Sequence, residues 1–101
     1  MKRGSNLVTV EMIKVGSKKF LGVKVDLPKA PLLLIKNNKI MIGCGYFSRE
    51  TLEKLEIPAC IVTGVKTFKD MLEAKVMYVT AEAKKLGIKE GEKVRDILSR
   101  I

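Results

Sequence analysis

The chain has 101 residues, of which 47% are hydrophobic and 31% charged, and its formal net charge is +9. This length predicts a single domain over residues 1–101, and no apolar run approaches the roughly 20 residues that a membrane-spanning helix needs. The sequence contains no histidine, which excludes Ser-His-Asp and Cys-His catalysis and removes the commonest zinc ligand. The N-terminus lacks the pattern of a signal peptide, so we expect a soluble cytoplasmic protein without disulfides.

The first part of the chain predicts an antiparallel hairpin. In residues 7–15, the apolar Val8, Val10 and Met12 alternate with polar residues, which is the pattern of a half-buried strand. Residues 18–27 alternate in the same way after a glycine turn. We therefore expect the side that carries Val8, Val10 and Met12 to be the buried side of this hairpin.

Two central strands are predicted next. Residues 32–36 and 39–43 are apolar on both faces, which favours positions in the middle of a sheet. Asn37 and Asn38 lie between them and predict a two-residue turn, because asparagine tolerates a positive φ.

The following segment predicts a strand–helix–strand unit. Residues 49–56 predict a two-turn helix with Leu52 and Leu55 facing inward and Ser48 as its N-cap. Residues 59–63 predict a fifth strand. A strand, a helix and a second strand in this order imply a parallel crossover.

The last third of the chain predicts mostly helix. A helix capped by Thr67 is predicted over residues 68–74, followed by a sixth strand over residues 75–79. Two further helices are predicted over residues 81–86 and 94–101. The expected fold is α+β, with a mainly antiparallel sheet of four to six strands, three or four short helices and one β-α-β crossover.

Three segments carry a resemblance to a known family: IMIGCGYFSRETLEKL, IVTGVKTFKDMLEAKV and KKLGIKEGEKVRDIL. They resemble the YunC-like family of small uncharacterised bacterial and archaeal proteins. The match covers residues 38–101 well, and residues 64–67 and 86–89 are its most specific parts. The resemblance implies a single-domain α+β protein of unknown activity. The positions that match the family pattern are Cys44, Gly45, Gly64, Val65, Lys66 and Thr67.

The chain contains one local arrangement twice: an apolar strand, a glycine turn, a hydroxyl N-cap and a short helix. Gly45 precedes Ser48 by three residues, and Gly64 precedes Thr67 by three. A strand that passes through glycine into a helix exposes backbone N–H groups that can bind an anion. The predicted ligand-binding residues are Cys44, Gly45, Tyr46, Ser48, Gly64, Lys66 and Thr67.

Cys44 is the candidate catalytic nucleophile. It stands between two glycines at a predicted strand end, where an accessible thiol near a helix N-terminus would have a lowered pKa. The alternative is that Cys44 is a small buried apolar residue, which is also the interpretation for Cys60 within its strand. No metal site is predicted. The cofactor is unknown, because Gly43-x-Gly45 lacks the third glycine of a dinucleotide fingerprint and residues 64–67 lack the spacing of a phosphate loop.

These observations favour a small protein that binds an anionic ligand or regulates through it, at the loops after the fourth and fifth strands. Two alternatives stay open: a Cys44-dependent enzyme, and nucleic-acid binding through the basic N-terminal hairpin. Nucleic acid is the less favoured partner, because the lysines alternate along strands. Central strands that are apolar on both faces predict a homo-oligomer. Abundant lysine and glutamate without glutamine indicate a thermophilic source.

Overall fold

A computed structural model describes residues 7–101 and contains one six-stranded sheet whose strands lie side by side in chain order. The strands are β1 (Val8–Val15), β2 (Lys18–Val25), β3 (Leu32–Lys36), β4 (Met41–Gly43), β5 (Ala59–Ile61) and β6 (Tyr78–Val79). The helices are α1 (Arg49–Lys54), α2 (Phe68–Glu73), α3 (Ala81–Lys84) and α4 (Val94–Arg100). The predicted α+β class is confirmed. Within residues 7–101, no helix has the length and apolarity needed to cross a bilayer.

The sheet topology brings three loops to one edge. Strands β1 to β4 form an antiparallel meander, β4 and β5 are parallel with α1 between them, and β6 is antiparallel to β5. The predicted crossover is therefore confirmed. Because parallel strands end at the same edge, the loops after β4 and β5 leave the sheet side by side. The loop before β3 reaches that edge too, since β3 runs antiparallel to β4.

One face of the sheet forms the main core, on which α2, α3 and α4 pack. A β-carbon at Gly22 would lie 2.9 Å from both Ile13 and Phe68, so glycine at this position allows α2 to approach the hairpin closely. Cys60 belongs to this core, as predicted. The buried side chains of the core include Ile13, Val15, Phe20, Leu33, Ile35, Ile42, Cys60, Met71, Val79, Ala83, Val94, Ile97 and Leu98.

The opposite face of the sheet is covered only in part. At β5, Leu52 of α1 packs on Ala59 and Ile61. The part formed by β1, β2 and β3 keeps its apolar side chains exposed or half-exposed. We call this part the open face, and it consists of Val8, Val10, Met12, Leu21, Val23, Val25, Leu32 and Leu34.

The expectation for the buried side of the β1–β2 hairpin is wrong. Val10 and Met12 are 61% and 62% exposed, whereas Ile13 and Phe20 on the opposite side are buried. Alternation alone does not say which side of a strand is covered. Three of the four helices pack on the face that carries Phe20, and this cover decides which side lies inside.

The turn between β3 and β4 forms by a different means from the one predicted. Neither Asn37 nor Asn38 has a positive φ. Instead, the Oδ1 atom of Asn37 accepts hydrogen bonds from the N–H groups of Lys39, at 2.8 Å, and Ile40, at 2.9 Å. An asparagine side chain can stand in for a backbone acceptor in this way, so the turn needs no left-handed residue.

Helix α1 is shorter than predicted. It ends at Lys54, and Leu55 is its C-cap with 64% of its surface exposed, so the expectation that Leu55 faces inward is wrong. Glu56 follows with a φ of 56°. This left-handed residue ends the helix early and turns the chain towards β5.

Candidate functional site

A cleft of about 300 Å³ lies at the sheet edge where β4 and β5 end. It is formed by the β2–β3 loop, the β4–α1 loop and the β5–α2 loop. The parallel pairing of β4 and β5 places the last two loops next to each other. The residues that line the cleft are Ala30, Pro31, Cys44, Gly45, Tyr46, Thr63, Gly64, Val65 and Lys66.

Most of the predicted ligand-binding residues meet in this cleft. Five of them line it: Cys44, Gly45, Tyr46, Gly64 and Lys66. Ser48 and Thr67 are not among the lining residues. Ser48 accepts a hydrogen bond from the N–H of Thr51 at 3.1 Å, and Thr67 accepts one from Asp70 at 3.0 Å. Both are N-caps, as predicted, and their hydroxyls are used within their own helices.

Sequence reasoning missed four lining residues. Thr63 and Val65 are immediate neighbours of Gly64, so their position follows once that loop is known to line a cleft. Ala30 and Pro31 come from the loop before β3. A proline interrupts a strand pattern, but nothing in the local sequence indicates that this loop reaches the other two.

Tyr46 connects two of the three loops. Its hydroxyl donates a hydrogen bond to the carbonyl oxygen of Ala30 at 2.8 Å, while about half of its side chain remains exposed. A tyrosine held at its polar end presents its ring in a defined orientation. The ring therefore forms a fixed wall of the cleft.

Cys44 is buried, with 5% of its surface exposed, which agrees with the alternative of a small buried apolar residue and not with an accessible thiol. Its sulfur accepts a hydrogen bond from the N–H of Leu33 at 3.4 Å. The side chain belongs to the main core, on the same side as Ile42 two residues earlier. The strand direction continues one residue past β4, which turns the thiol inward.

Lys66 provides a positive charge at the cleft. It is exposed, and no carboxylate within residues 7–101 forms an ion pair with it. In the same part of the chain, the N–H groups of Gly45, Gly64 and Val65 have no protein acceptor. Gly64 has a φ of 74°, a left-handed conformation that favours glycine. A cation beside unpaired amides is a suitable environment for an anion.

The N-terminus of α2 already has an anion of its own. The carboxylate of Asp70 accepts a hydrogen bond from the N–H of Lys66 at 3.1 Å, and Thr67 takes the N–H of Asp70. The carboxylate lies three residues after the N-cap, as in a capping box, but it accepts from the N–H of Lys66 rather than from that of the N-cap Thr67. Donors for a ligand therefore come from the loop that precedes the helix rather than from the helix itself.

A second polar cluster lies outside the cleft. The Tyr78 hydroxyl and the Ala81 N–H donate hydrogen bonds to the carboxylate of Glu53, and the Arg49 guanidinium lies 4.7 Å from the centroid of the Tyr78 ring. These two hydrogen bonds hold the pKa of Glu53 below its ordinary value of 4.5, and the bond to Glu53 raises the pKa of Tyr78. The cluster ties α1 to β6 and to the start of α3.

The lysines of the hairpin do not share one face. Lys14 and Lys19 are cross-strand neighbours on the side of the open face, whereas Lys18 and Lys24 lie on the opposite side.

Within residues 7–101, no group of three or more Cys, Asp or Glu side chains is placed to hold a metal ion.

Comparison with known proteins relates this chain to a family. Residues 43–101 match a family model described as a domain of unknown function, DUF1805. The chain is also 31% identical to the uncharacterized protein YunC of Bacillus subtilis (strain 168), over 94% of this chain and 98% of the relative. The chain belongs to this family. The resemblance predicted from the sequence motifs is confirmed.

A solved structure supports the same relation. The crystal structure of a protein of unknown function, TA1206 from Thermoplasma acidophilum, matches with a TM-score of 0.87 and 41% sequence identity, over 92% of this chain and 91% of the other. The descriptions of these relatives assign no activity. The relation supports the fold of the chain and does not indicate an activity.

Proposed function

We propose that the protein binds a small anionic ligand in the cleft between the β4–α1 and β5–α2 loops, as a binding or regulatory protein. The observation that supports this most directly is Lys66, an exposed cation that lines a cleft beside amides that have no acceptor among residues 7–101. Hydrogen bonds to charged groups contribute about 1.5–3 kcal/mol each. The net charge of +9 also favours the approach of anions.

A matched pair of lysine variants tests the proposal. Lys66 and Lys69 are both exposed, but only Lys66 lines the cleft. A thermal-shift screen with phosphorylated and carboxylated metabolites identifies ligands, because a ligand of the native state raises Tm by mass action. We expect Lys66→Ala to weaken binding of such a ligand by about 1–3 kcal/mol, and Lys69→Ala to leave it nearly unchanged. Equal weakening by both variants would show a long-range charge effect and contradict the site.

The proposal gives Cys44 a place in the cleft wall rather than the role of a nucleophile. Its thiol is buried and accepts a hydrogen bond from a backbone N–H, and the sequence has no histidine to act as its base. A nucleophilic thiol is normally exposed in part and paired with a cation or a base. The enzyme alternative therefore has less support than binding.

We further propose that the protein forms a symmetric homodimer through the open face. Its side chains lie in cross-strand rows, with Val10 beside Val23 and Met12 beside Leu21. Strands β1 and β2 have 8 residues each and β3 has 5, so at about 3.3 Å per residue and about 4.8 Å between strands the face measures roughly 330 Å². Apolar patches of several hundred Å² on a protein surface are often functional.

A second copy of the chain suits this face for an electrostatic reason. Lys14, Lys19 and Lys36 lie together at one end of the open face. If two faces pack about a two-fold axis with their strands in opposite directions, the lysine ends lie far apart and like charges do not meet. Two faces cover about 700 Å² in projection, below the roughly 1,200 Å² of a standard interface. We therefore expect a dimer that persists at micromolar concentration and dissociates on further dilution.

Two exposed methionines provide the test of the dimer. Met12 lies on the open face with 62% of its surface exposed, and Met77 lies outside it with 54% exposed. We expect Met12→Lys to give a monomer in light scattering at micromolar concentration, and Met77→Lys to keep the dimer. A monomeric mass for the unmodified protein would contradict the proposal.

We also propose a cytoplasmic location and a thermophilic source. Both cysteines are free, which suits a reducing compartment. The thermophilic source is supported by the lysine- and glutamate-rich composition, and by the similarity to a protein of Thermoplasma acidophilum.

A further inference from the structure

We infer that the ligand of the cleft is a carboxylate carried on a flat apolar or aromatic body, rather than a free inorganic ion or a phosphorylated polar metabolite. This inference rests on the proposed function and narrows its ligand class. It is drawn from the way in which polar and apolar groups are divided between the loops around the cleft.

The polar groups lie mainly on one side. Lys66 and the unpaired N–H groups of Gly64 and Val65 all belong to the β5–α2 loop. These groups provide one cation and a few amides, which suits a single charge shared between two oxygens. A phosphate group carries about 1.5–2 negative charges on three acceptor oxygens, which is more than this single cation and these few amides match.

The other side of the cleft is apolar apart from the N–H of Gly45, which has no acceptor within residues 7–101. Ala30 and Pro31 contribute aliphatic surface, and Tyr46 contributes a half-exposed ring whose hydroxyl is already bonded to Ala30. Because that hydroxyl already donates its proton to Ala30, it has no donor left for an anion, and the ring is the part of Tyr46 that an anionic ligand can contact. An aromatic ring that packs on this wall removes apolar surface from water, whereas a hydrated ion would leave the wall exposed.

The volume of the cleft sets the size of the ligand. About 300 Å³ is the lower limit of the range for small-molecule sites, roughly 300–1,000 Å³. A single ring with a short acidic side chain fits this volume. A dinucleotide or a coenzyme with several rings does not.

Phenylacetate, acetate, inorganic phosphate and phenylacetamide form a suitable set of probes, measured by ¹⁵N–¹H NMR titration of the unmodified protein. We expect shifts at the Gly64, Val65 and Lys66 amides. Phenylacetate should bind about twentyfold more tightly than acetate, which is the factor that six extra ring atoms give at the efficiency per atom of drug-sized ligands. Phosphate should bind no better than acetate, and neutral phenylacetamide should bind more weakly than phenylacetate.

Variants of two residues separate the contributions of ring and charge. Tyr46→Ala should reduce the affinity for phenylacetate to that for acetate, and it should leave the affinity for acetate unchanged. Tyr46→Phe keeps the ring and should keep most of the phenylacetate affinity. Lys66→Ala should weaken the binding of both carboxylates. The selectivity among the four probes is measured on the unmodified protein and does not depend on how any variant folds.

The outcomes distinguish this inference from the function on which it rests. If acetate or phosphate binds as tightly as phenylacetate, the inference of an aromatic carboxylate ligand is wrong, and the proposal of anion binding remains. If phenylacetamide binds as tightly as phenylacetate and Lys66→Ala changes nothing, the site does not recognise an anion and both proposals fail. The absence of any shift with all four probes at millimolar concentration overturns both as well.

Discussion

The two glycines that flank Cys44 allow a direct test of the packing beside the cleft. A β-carbon at Gly43 would lie 2.6 Å from the Cδ2 atom of Phe47 and 3.2 Å from its Cγ atom. At Gly45, the nearest atom to such a carbon would be the Cγ2 of Thr63 at 3.4 Å. Both glycines precede α1, and neither has a φ in the left-handed region. The variants Gly43→Ala and Gly45→Ala therefore differ mainly in steric contact.

The expected size of the effect follows from these distances. Carbon atoms in contact prefer about 3.5–4.0 Å, so the added methyl group at Gly43 overlaps Phe47 by roughly 1 Å. The Cγ atom can move away only if Phe47 rotates about χ1 or the backbone shifts. Phe47 also packs against both hydrophobic clusters. Overpacking of this kind costs about 1–3 kcal/mol. Replacing glycine by alanine also restricts the unfolded chain, which stabilises by about 0.4–1 kcal/mol, but this contribution is common to both variants.

Urea denaturation followed by circular dichroism measures the difference. We expect Gly43→Ala to be less stable than Gly45→Ala by about 1–3 kcal/mol, and Gly45→Ala to be as stable as the unmodified protein or slightly more so. If Gly45→Ala lost as much stability as Gly43→Ala, or if neither lost any, the contact between Gly43 and Phe47 would not determine the packing of this loop.

Three further predictions concern a cap, a carboxylate and the two thiols. Thr67→Ala removes the acceptor for the N–H of Asp70 and should lower the free energy of unfolding by about 1 kcal/mol in a urea melt; an unchanged midpoint would contradict the capping role. Glu73 has a pKa below its ordinary value of 4.5 because it accepts hydrogen bonds from an arginine and a lysine at α4. Stability from this carboxylate is therefore complete above about pH 4.5 and decreases as the pH falls through the lowered pKa, so Glu73→Gln should flatten that part of the Tm–pH curve, and an unaltered curve would speak against it. Burial raises the pKa of the Cys60 thiol to about 12 and encloses Cys44, so iodoacetamide should label both in urea and neither in the native protein at neutral pH; rapid native labelling of Cys44 would revive the enzyme alternative.

The sequence alone determined the features that depend on neighbouring residues. A hydroxyl three residues before a helical N–H forms the same cap wherever the helix lies, so Ser48 and Thr67 were predicted as N-caps and are confirmed. Alternation and apolar runs predicted the strands for the same local reason. Since the crossover follows from the order strand–helix–strand, the meeting of the Gly45 and Gly64 loops could also be predicted from the chain.

Only the tertiary structure decided which surfaces are covered and which distant groups meet. The burial of Phe20 instead of Val10 depends on where three later helices pack, and the inward direction of Cys44 depends on how far the strand continues past β4. The contact between Tyr46 and Ala30 joins residues that are 16 positions apart. Such contacts depend on the packing of the whole chain. The hydrophobic effect favours any arrangement that buries apolar surface and is not directional, so the local sequence does not specify which distant residues meet.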